Sequence, residues 1–237
     1  MRDTLMSKEH WDKRFRYFDD AISFEESLIE NTIAKQGEDS EGARRAYSLH
    51  LASCISYMNT LYSSGSSLEE IKIIYPKIVN LFKKAWNKSS RYVEMVWMLS
   101  IGIMLNVEQK YILELSELVK RDNLDDFLIN YLIHQAVPSW PAEKVEFQFE
   151  DPYGLLLPVI EATTEDERQE VLKNYINKKW YKGHRDMGWH GIHKDKNSLY
   201  NGYWSYESGA IAKILKLDDT GWEGMKYYPY DMVHYNG

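Results

Sequence analysis

The chain has 237 residues, 44% hydrophobic and 27% charged, with 29 basic and 36 acidic side chains and a formal net charge of −7. That length builds one large domain or two small ones around a substantial core, and the balance is that of a soluble globule, which excludes a fibrous or disordered chain. A single cysteine, Cys54, excludes an internal disulfide framework, and the charged N-terminus MRDTLMSKEHWDKRFR lacks a secretory or transit pattern, so the expected location is the cytoplasm.

Residues from about 8 to 36 place Trp11, Phe15, Phe18, Ile22, Leu28 and Ile29 on one stripe of a long amphipathic helix, which QGEDSEG ends. A second helix, about 41 to 63, sets Tyr47, Leu51, Cys54, Ile55, Met58, Leu61 and Tyr62 at spacings of three and four, which makes Cys54 a core residue. Beyond SSGSS, Ser67 and Glu70 have the spacing of a capping box. The helix they open aligns Ile71, Ile74, Tyr75, Ile78, Leu81, Phe82 and Ala85, and Pro76 is expected to kink it. Helices at about 91 to 106, 108 to 121 and 123 to 136 follow with short connections, as antiparallel neighbours do. The first of these holds the longest apolar run, Tyr92 to Leu105, which is shorter than the ~20 residues of a membrane helix and carries Glu94. It is expected at the centre of the core, with no membrane partner.

Residues 138 to 154 include Pro138, Pro141 and Pro152 and read as a crossover loop, in which the alternation Val145, Phe147, Phe149 suits one very short β element near 145–149. A helix from Pro152 to about Ala162 comes next, and Thr164 with Glu167 forms another capping box opening a helix to about Trp180. From Trp180 onward, 12 Trp and Tyr residues and four His residues fall within 58 positions. Buried aromatic N–H and O–H groups need partners, so a polar network is expected here, drawn from Tyr203, Trp204, Glu207, Asp218, Asp219, Tyr228 and Asp231. The fold expected is all-α, a multi-helix antiparallel bundle-like array, in two regions, 1–121 and 122–237, packed together as one unit.

Within GYWSYESGAIAKILKLDD, residues 202 to 219, the residues Tyr203, Glu207, Ala210, Ile211 and Ile214 fall on one face of a helix. A carboxylate there is either a general acid beside a pocket or an acceptor for buried donors, and a lone glutamate between tyrosines favours the acceptor. On that reading Glu207→Gln lowers stability by about 1 to 3 kcal/mol as charge-assisted bonds are lost. His184, His190 and His193 are the one cluster that resembles a metal site, and neither H-E-x-x-H nor paired C-x-x-C accompanies them. Phosphate-cradling, dinucleotide and nucleophile-elbow motifs are absent too. No catalytic residue, cofactor or metal is expected.

Charge is unevenly distributed. Residues 1 to 121 carry 17 bases and 17 acids, residues 122 to 170 carry 12 acids against Lys144 and Arg168, and residues 171 to 197 carry seven bases against Asp186 and Asp195. An acidic block repels nucleic acid and attracts a basic partner, although a solvated helical surface has the same composition.

The C-terminal run from 181 to 233 resembles the C-terminal domain of PoNi proteins, bacterial immunity proteins that protect against PoNe DNase toxins. The blocks that carry the likeness are WYKGH (180 to 184), GYWSYE (202 to 207), AIAK-x-L-x-LDD (210 to 219) and YYPYD (227 to 231), in order. Residues 1 to 121 fit the family's helical N-terminal part in outline. The resemblance implies an all-helical cytoplasmic protein, not an enzyme, that binds a DNase toxin with a basic surface and does not itself bind nucleic acid. The interface residues chosen on that basis are Asp122, Asp125, Asp126, Glu143, Glu146, Glu150 and Asp151, with Trp140 as an aromatic anchor. Two other classes stay open, a general helical scaffold or adaptor and an enzyme using Glu207 and the nearby histidines.

Overall fold

The computed structural model describes residues 1–141, 145–195 and 199–236. Its elements are helical, and no strand occurs among the described residues. They form two compact units, Met1–Arg91 with His193–Gly202 and Tyr92–Ile192 with Tyr203–Gly237, so a short piece of the C-terminal half belongs to the N-terminal unit.

In the first unit α1 (Lys8–Gln36), α2 (Glu41–Ser64) and α3 (Leu68–Ala85) follow one another, with α2 packed against both of the others. Each begins at a serine whose hydroxyl accepts a backbone N–H three residues on, and Ser67 with Glu70 completes both halves of the capping box. At the end of α2, Gly65 takes a φ of 95°, which glycine adopts without steric cost, and the N–H groups of Gly65 and Ser66 return to the carbonyls of Tyr62 and Leu61. Trp11, Phe18 and Ile29 of α1 are buried, as are Leu51, Cys54, Ile55 and Met58 of α2 and Ile71, Tyr75, Ile78 and Phe82 of α3. Burial pushes the Cys54 thiol up to about 11, so it stays a neutral core side chain.

The buried face of α1 also carries Arg14 and Glu25, two charges that its apolar stripe did not foretell. Glu25 accepts from Ser53 Oγ at 2.7 Å and from His50 Nδ1 at 3.1 Å. Arg14 donates through Nε to Asn201 Oδ1 at 3.0 Å and lays its guanidinium over the Phe18 ring. Asn201 also accepts from Thr60 Oγ1 through its side chain and from Ser63 Oγ through its carbonyl. Next to it, the Tyr200 hydroxyl donates to Asp3 and the Tyr200 carbonyl accepts from His10 Nε2 at 2.8 Å. These bonds fasten the piece from His193 to Gly202 within the first unit.

The second unit holds α4 (Tyr92–Met104), α5 (Gln109–Arg121), α6 (Phe127–Ala136), α7 (Leu157–Glu161), α8 (Glu165–Asn174), α9 (Tyr181–Gly183), α10 (Tyr206–Leu215) and α11 (Tyr230–Val233). A π-helical stretch, Tyr175–Trp180, joins α8 to α9, and a 3-10 turn, Tyr153–Leu156, precedes α7. The apolar helix α4 is central as expected, with Met95, Val96, Met98, Leu99, Ile101 and Met104 buried and α5, α6, α10 and α11 packed on it. Among the described residues no helix is long and apolar enough to cross a membrane. α10 lies close to its neighbours at Gly209, where a Cβ would fall 2.6 Å from Met104 Sδ and 2.5 Å from Pro229 Cγ. Lys213 then donates to the Met104 carbonyl at 2.6 Å and the Tyr235 carbonyl at 2.8 Å, satisfying an acceptor at the end of α4.

Three expectations are corrected here. The segment 145–149 pairs with no strand, because its polar backbone groups are satisfied by the start of α6: Glu146 O accepts from Phe127 N at 3.2 Å, and Gln148 N donates to Asp126 Oδ2 at 2.8 Å. α10 begins at Tyr206 rather than 202, so Tyr203 is off its face. Tyr206 through Ala212 are all buried, which makes α10 a core helix covered all round instead of an amphipathic one. Thr164 caps α8 through its own hydroxyl, but Glu167 makes no return bond, so only half of that second capping box forms.

Candidate functional site

The acidic run starts at the end of α5. Asp122 is partly neutralised by Arg121, whose Nε lies 2.9 Å from Oδ1. Asp125 is exposed and accepts from Asn130 Nδ2 at 3.1 Å. The neighbouring Asp126 is fully buried: Oδ1 accepts the Ile129 N–H at 2.9 Å to cap α6, and Oδ2 accepts the Gln148 N–H at 2.8 Å. Burial raises its pKa despite those bonds. Asp126 therefore ties the 145–149 segment to a helix end and is not a surface charge, which removes it from the set expected to face a partner.

Trp140 is half-buried; its indole N–H donates to Asn130 Oδ1 at 3.0 Å and its carbonyl accepts from His134 Nδ1 at 2.7 Å. Asn130 thus holds both Asp125 and Trp140, so the carboxylate and the indole are positioned by one amide. Glu143 lies outside the described residues. Glu146, Glu150 and Asp151 are exposed, and neither they nor Asp125 enter an ion pair among the described residues. Phe149 stands among these acids at 46% exposed, edged against Tyr92 with ring centroids 4.7 Å apart. Strict alternation would have put Phe149 inside; it faces outward because the segment is not a strand, and so it was missed as a candidate anchor.

Glu207 has no exposed surface. Its Oε1 accepts from Tyr175 Oη at 3.0 Å and Ser205 Oγ at 2.8 Å, while Oε2 has no hydrogen-bond partner. The indole N–H of Trp180 lies near enough to favour the charged form slightly, yet it meets no acceptor at hydrogen-bonding geometry. Desolvation dominates, and it pushes Glu207 up to about 7. The same burial, with Glu207 close by, holds the hydroxyls of Tyr175 and Tyr153 far above their ordinary range. In this conformation the carboxyl bonds to Tyr175 and Ser205 and is closed off from solvent.

The other members of the expected network fall into two groups. Asp219 is buried, accepts from Tyr228 Oη at 2.5 Å and lies 2.7 Å from His234 Nε2, so it joins the turn after α10 to α11. Tyr203 and Trp204 are buried as well, Tyr203 within 5.5 Å of the Trp189 and Tyr181 rings. Asp218 is exposed and closes a local turn by accepting from Thr220 N and Oγ1, and Asp231 is exposed in the first turn of α11.

The three histidines form no metal-holding group among the described residues. His184 donates from Nδ1 to the Trp180 carbonyl at 2.7 Å, which leaves Nε2 to accept from Tyr153 Oη at 3.0 Å. Burial lowers its pKa, so it stays neutral. His190 stacks on Tyr181 at 4.1 Å, and His193 belongs to the piece of chain in the first unit, near Tyr200. Among the described residues no three His, Cys, Asp or Glu side chains are placed to hold a metal ion.

Comparison with known proteins identifies both halves of the chain. Residues 2–117 match the family described as "PoNe immunity protein (PoNi), N-terminal", and residues 124–232 match "PoNe immunity proteins (PoNi), C-terminal". A solved structure titled "The Crystal Structure of Protein PA2201 from Pseudomonas aeruginosa" has a similar fold, with a TM-score of 0.73 over 99% of this chain and 89% of that one at 18% identity. No curated protein matches. With both parts matched from residue 2 to residue 232, the chain belongs to the PoNe immunity protein (PoNi) family.

Proposed function

We propose that this protein neutralises a cognate bacterial DNase toxin in the cytoplasm by binding it, without catalysing a reaction, and that the acidic run from Asp122 to Asp151 is where the toxin is first met. A nuclease has to present cations to DNA phosphates, and an acidic inhibitor is drawn to the same surface, which raises the encounter rate and selects the partner. The observation that supports this reading is that Asp125, Glu146, Glu150 and Asp151 are exposed and enter no ion pair among the described residues, which leaves their field available to another molecule. Asp122 contributes less because Arg121 already holds it. Trp140 and Phe149 supply aromatic surface among the charges, the composition favoured where a few residues dominate binding.

The test is co-expression with a PoNe-type DNase toxin from the same genome, scored for survival and for a co-purified complex. Asp125→Lys, Glu146→Lys and Glu150→Lys combined should slow association by roughly tenfold or more at low salt, weaken protection and leave the thermal melt unchanged, since all three side chains are exposed. Unchanged association and protection in that variant would reject the acidic run as the interface.

A further inference from the structure

The first unit contains an open groove of about 570 Å³ between α1 and α3, floored by α2. Phe18 and Ile22 form one wall, Tyr57 and Leu61 the floor, and Ile73 and Ile74 the other wall. Ile73 is 77% exposed although it stands at the lip of an apolar channel. The volume lies in the range of sites that hold a ligand or several side chains, and the walls are helices, the setting in which an apolar helix face is taken up by a partner.

The rim is acidic on balance. Asp19 lies at the edge with its carboxylate unpaired, and Glu70 uses Oε2 to cap Ser67, which leaves Oε1 open. Lys77, the cation of the rim, is held by Glu26 at 2.5 Å. Asp19, Glu70 and Glu26 against Lys77 leave a net of two negative charges. The half-buried Tyr57 hydroxyl is held above its ordinary pKa by burial and then by Asp19 and Glu70, which places both carboxylates about one phenol.

We infer that this groove receives an apolar helical segment of the toxin that carries an arginine or lysine, its stem on the apolar walls and its cation between Asp19 and Glu70. The inference rests on the reading of the protein as a toxin inhibitor and adds a second contact to it, separate from the acidic run. Its chemistry differs accordingly. A rim charge steers approach, whereas a side chain seated in an apolar groove governs how long the complex lasts.

The experiment measures association and dissociation of the full-length protein with an inactivated form of the PoNe-type toxin that it protects against in the co-expression test. Ile73→Asp and Asp19→Lys alter exposed side chains: Ile73→Asp should speed dissociation by roughly tenfold with little change in association, and Asp19→Lys should speed dissociation by a similar factor while also slowing association. Leu49→Asp, an equally drastic change at a 48% exposed position of α2 outside the groove, should leave both rates alone. In the unmutated complex, amide exchange at the exposed turns of α1 and α3 that line the groove should slow. Dissociation unchanged in both groove variants, or no protection of α1 and α3 in the complex, overturns the inference. If the acidic-run variant is still impaired in that case, the proposed function stands without the groove. If the unmutated protein forms no complex, both readings fall together.

Discussion

Glu207→Gln tests how the interior of the second unit tolerates its carboxyl. The folded-state pKa of about 7 lies above the ordinary 4.5, so the folded protein keeps a proton that the unfolded chain has already released. Stability is therefore unaffected by this group below about pH 4.5 and declines as pH rises through 7. At about 1.36 kcal/mol per pH unit, the loss between pH 4 and pH 8 is about 3 kcal/mol. Glutamine keeps an oxygen for Tyr175 and Ser205 but places an N–H₂ where Oε2 has no partner, a cost of about 1 to 2 kcal/mol at every pH. The variant should thus be less stable than the wild type at pH 4 and more stable at pH 8. Above neutrality this reverses the loss expected of a charge-assisted acceptor, because burial disfavours the charged carboxylate more than its bonds to Tyr175 and Ser205 favour it. Urea unfolding of both proteins at the two pH values, followed by tryptophan fluorescence, measures the difference, and six of the eight indoles report from this unit. A wild-type-minus-variant difference that stays the same within about 0.5 kcal/mol from pH 4 to pH 8 would refute the reasoning.

Three further outcomes are expected. Gly209→Ala drives a methyl against Pro229 and Met104 at distances no Cβ normally tolerates, and should cost about 1 to 3 kcal/mol in chemical denaturation. Asn201→Ala strips the acceptor from buried Arg14 and from Thr60; it should destabilise the first unit by about 1 to 3 kcal/mol and make the 193–202 piece the earliest site of cleavage in limited proteolysis. Asp126→Ala removes the α6 cap together with the acceptor of Gln148 N–H and should lower stability by about 1 to 3 kcal/mol, while Asp125→Lys one residue earlier leaves the melt unchanged.

Helix existence was legible wherever a local rule operates. The period of α1 and α2, the Ser67–Glu70 box and the apolar run of α4 each depend on residues a few positions apart, and they appear where the spacing puts them. The role of Asp126 is less legible: its cap of Ile129 N–H is local, but its second oxygen is taken by Gln148 N–H, 22 residues away, so as a letter it reads as a surface charge. The candidate interface divided in the same manner, since Asp125 and Asp126 are indistinguishable as letters yet one is exposed and the other buried. The block likeness of the C-terminal tail pointed to the family, which the matches over both halves then established.

By itself the sequence determined an all-helical chain, a buried α4, a core Cys54 and an acidic stretch after α5, because periodicity and composition are local quantities. Only the tertiary structure decided that Arg14 and Glu25 lie inside, that Asn201 secures a piece of the C-terminal half within the N-terminal unit, that His193 belongs to a different compact unit from His184 and His190 and that a groove opens over Tyr57. Each of these depends on which distant group satisfies a polar atom or leaves an apolar one uncovered, and no spacing along one helix records that.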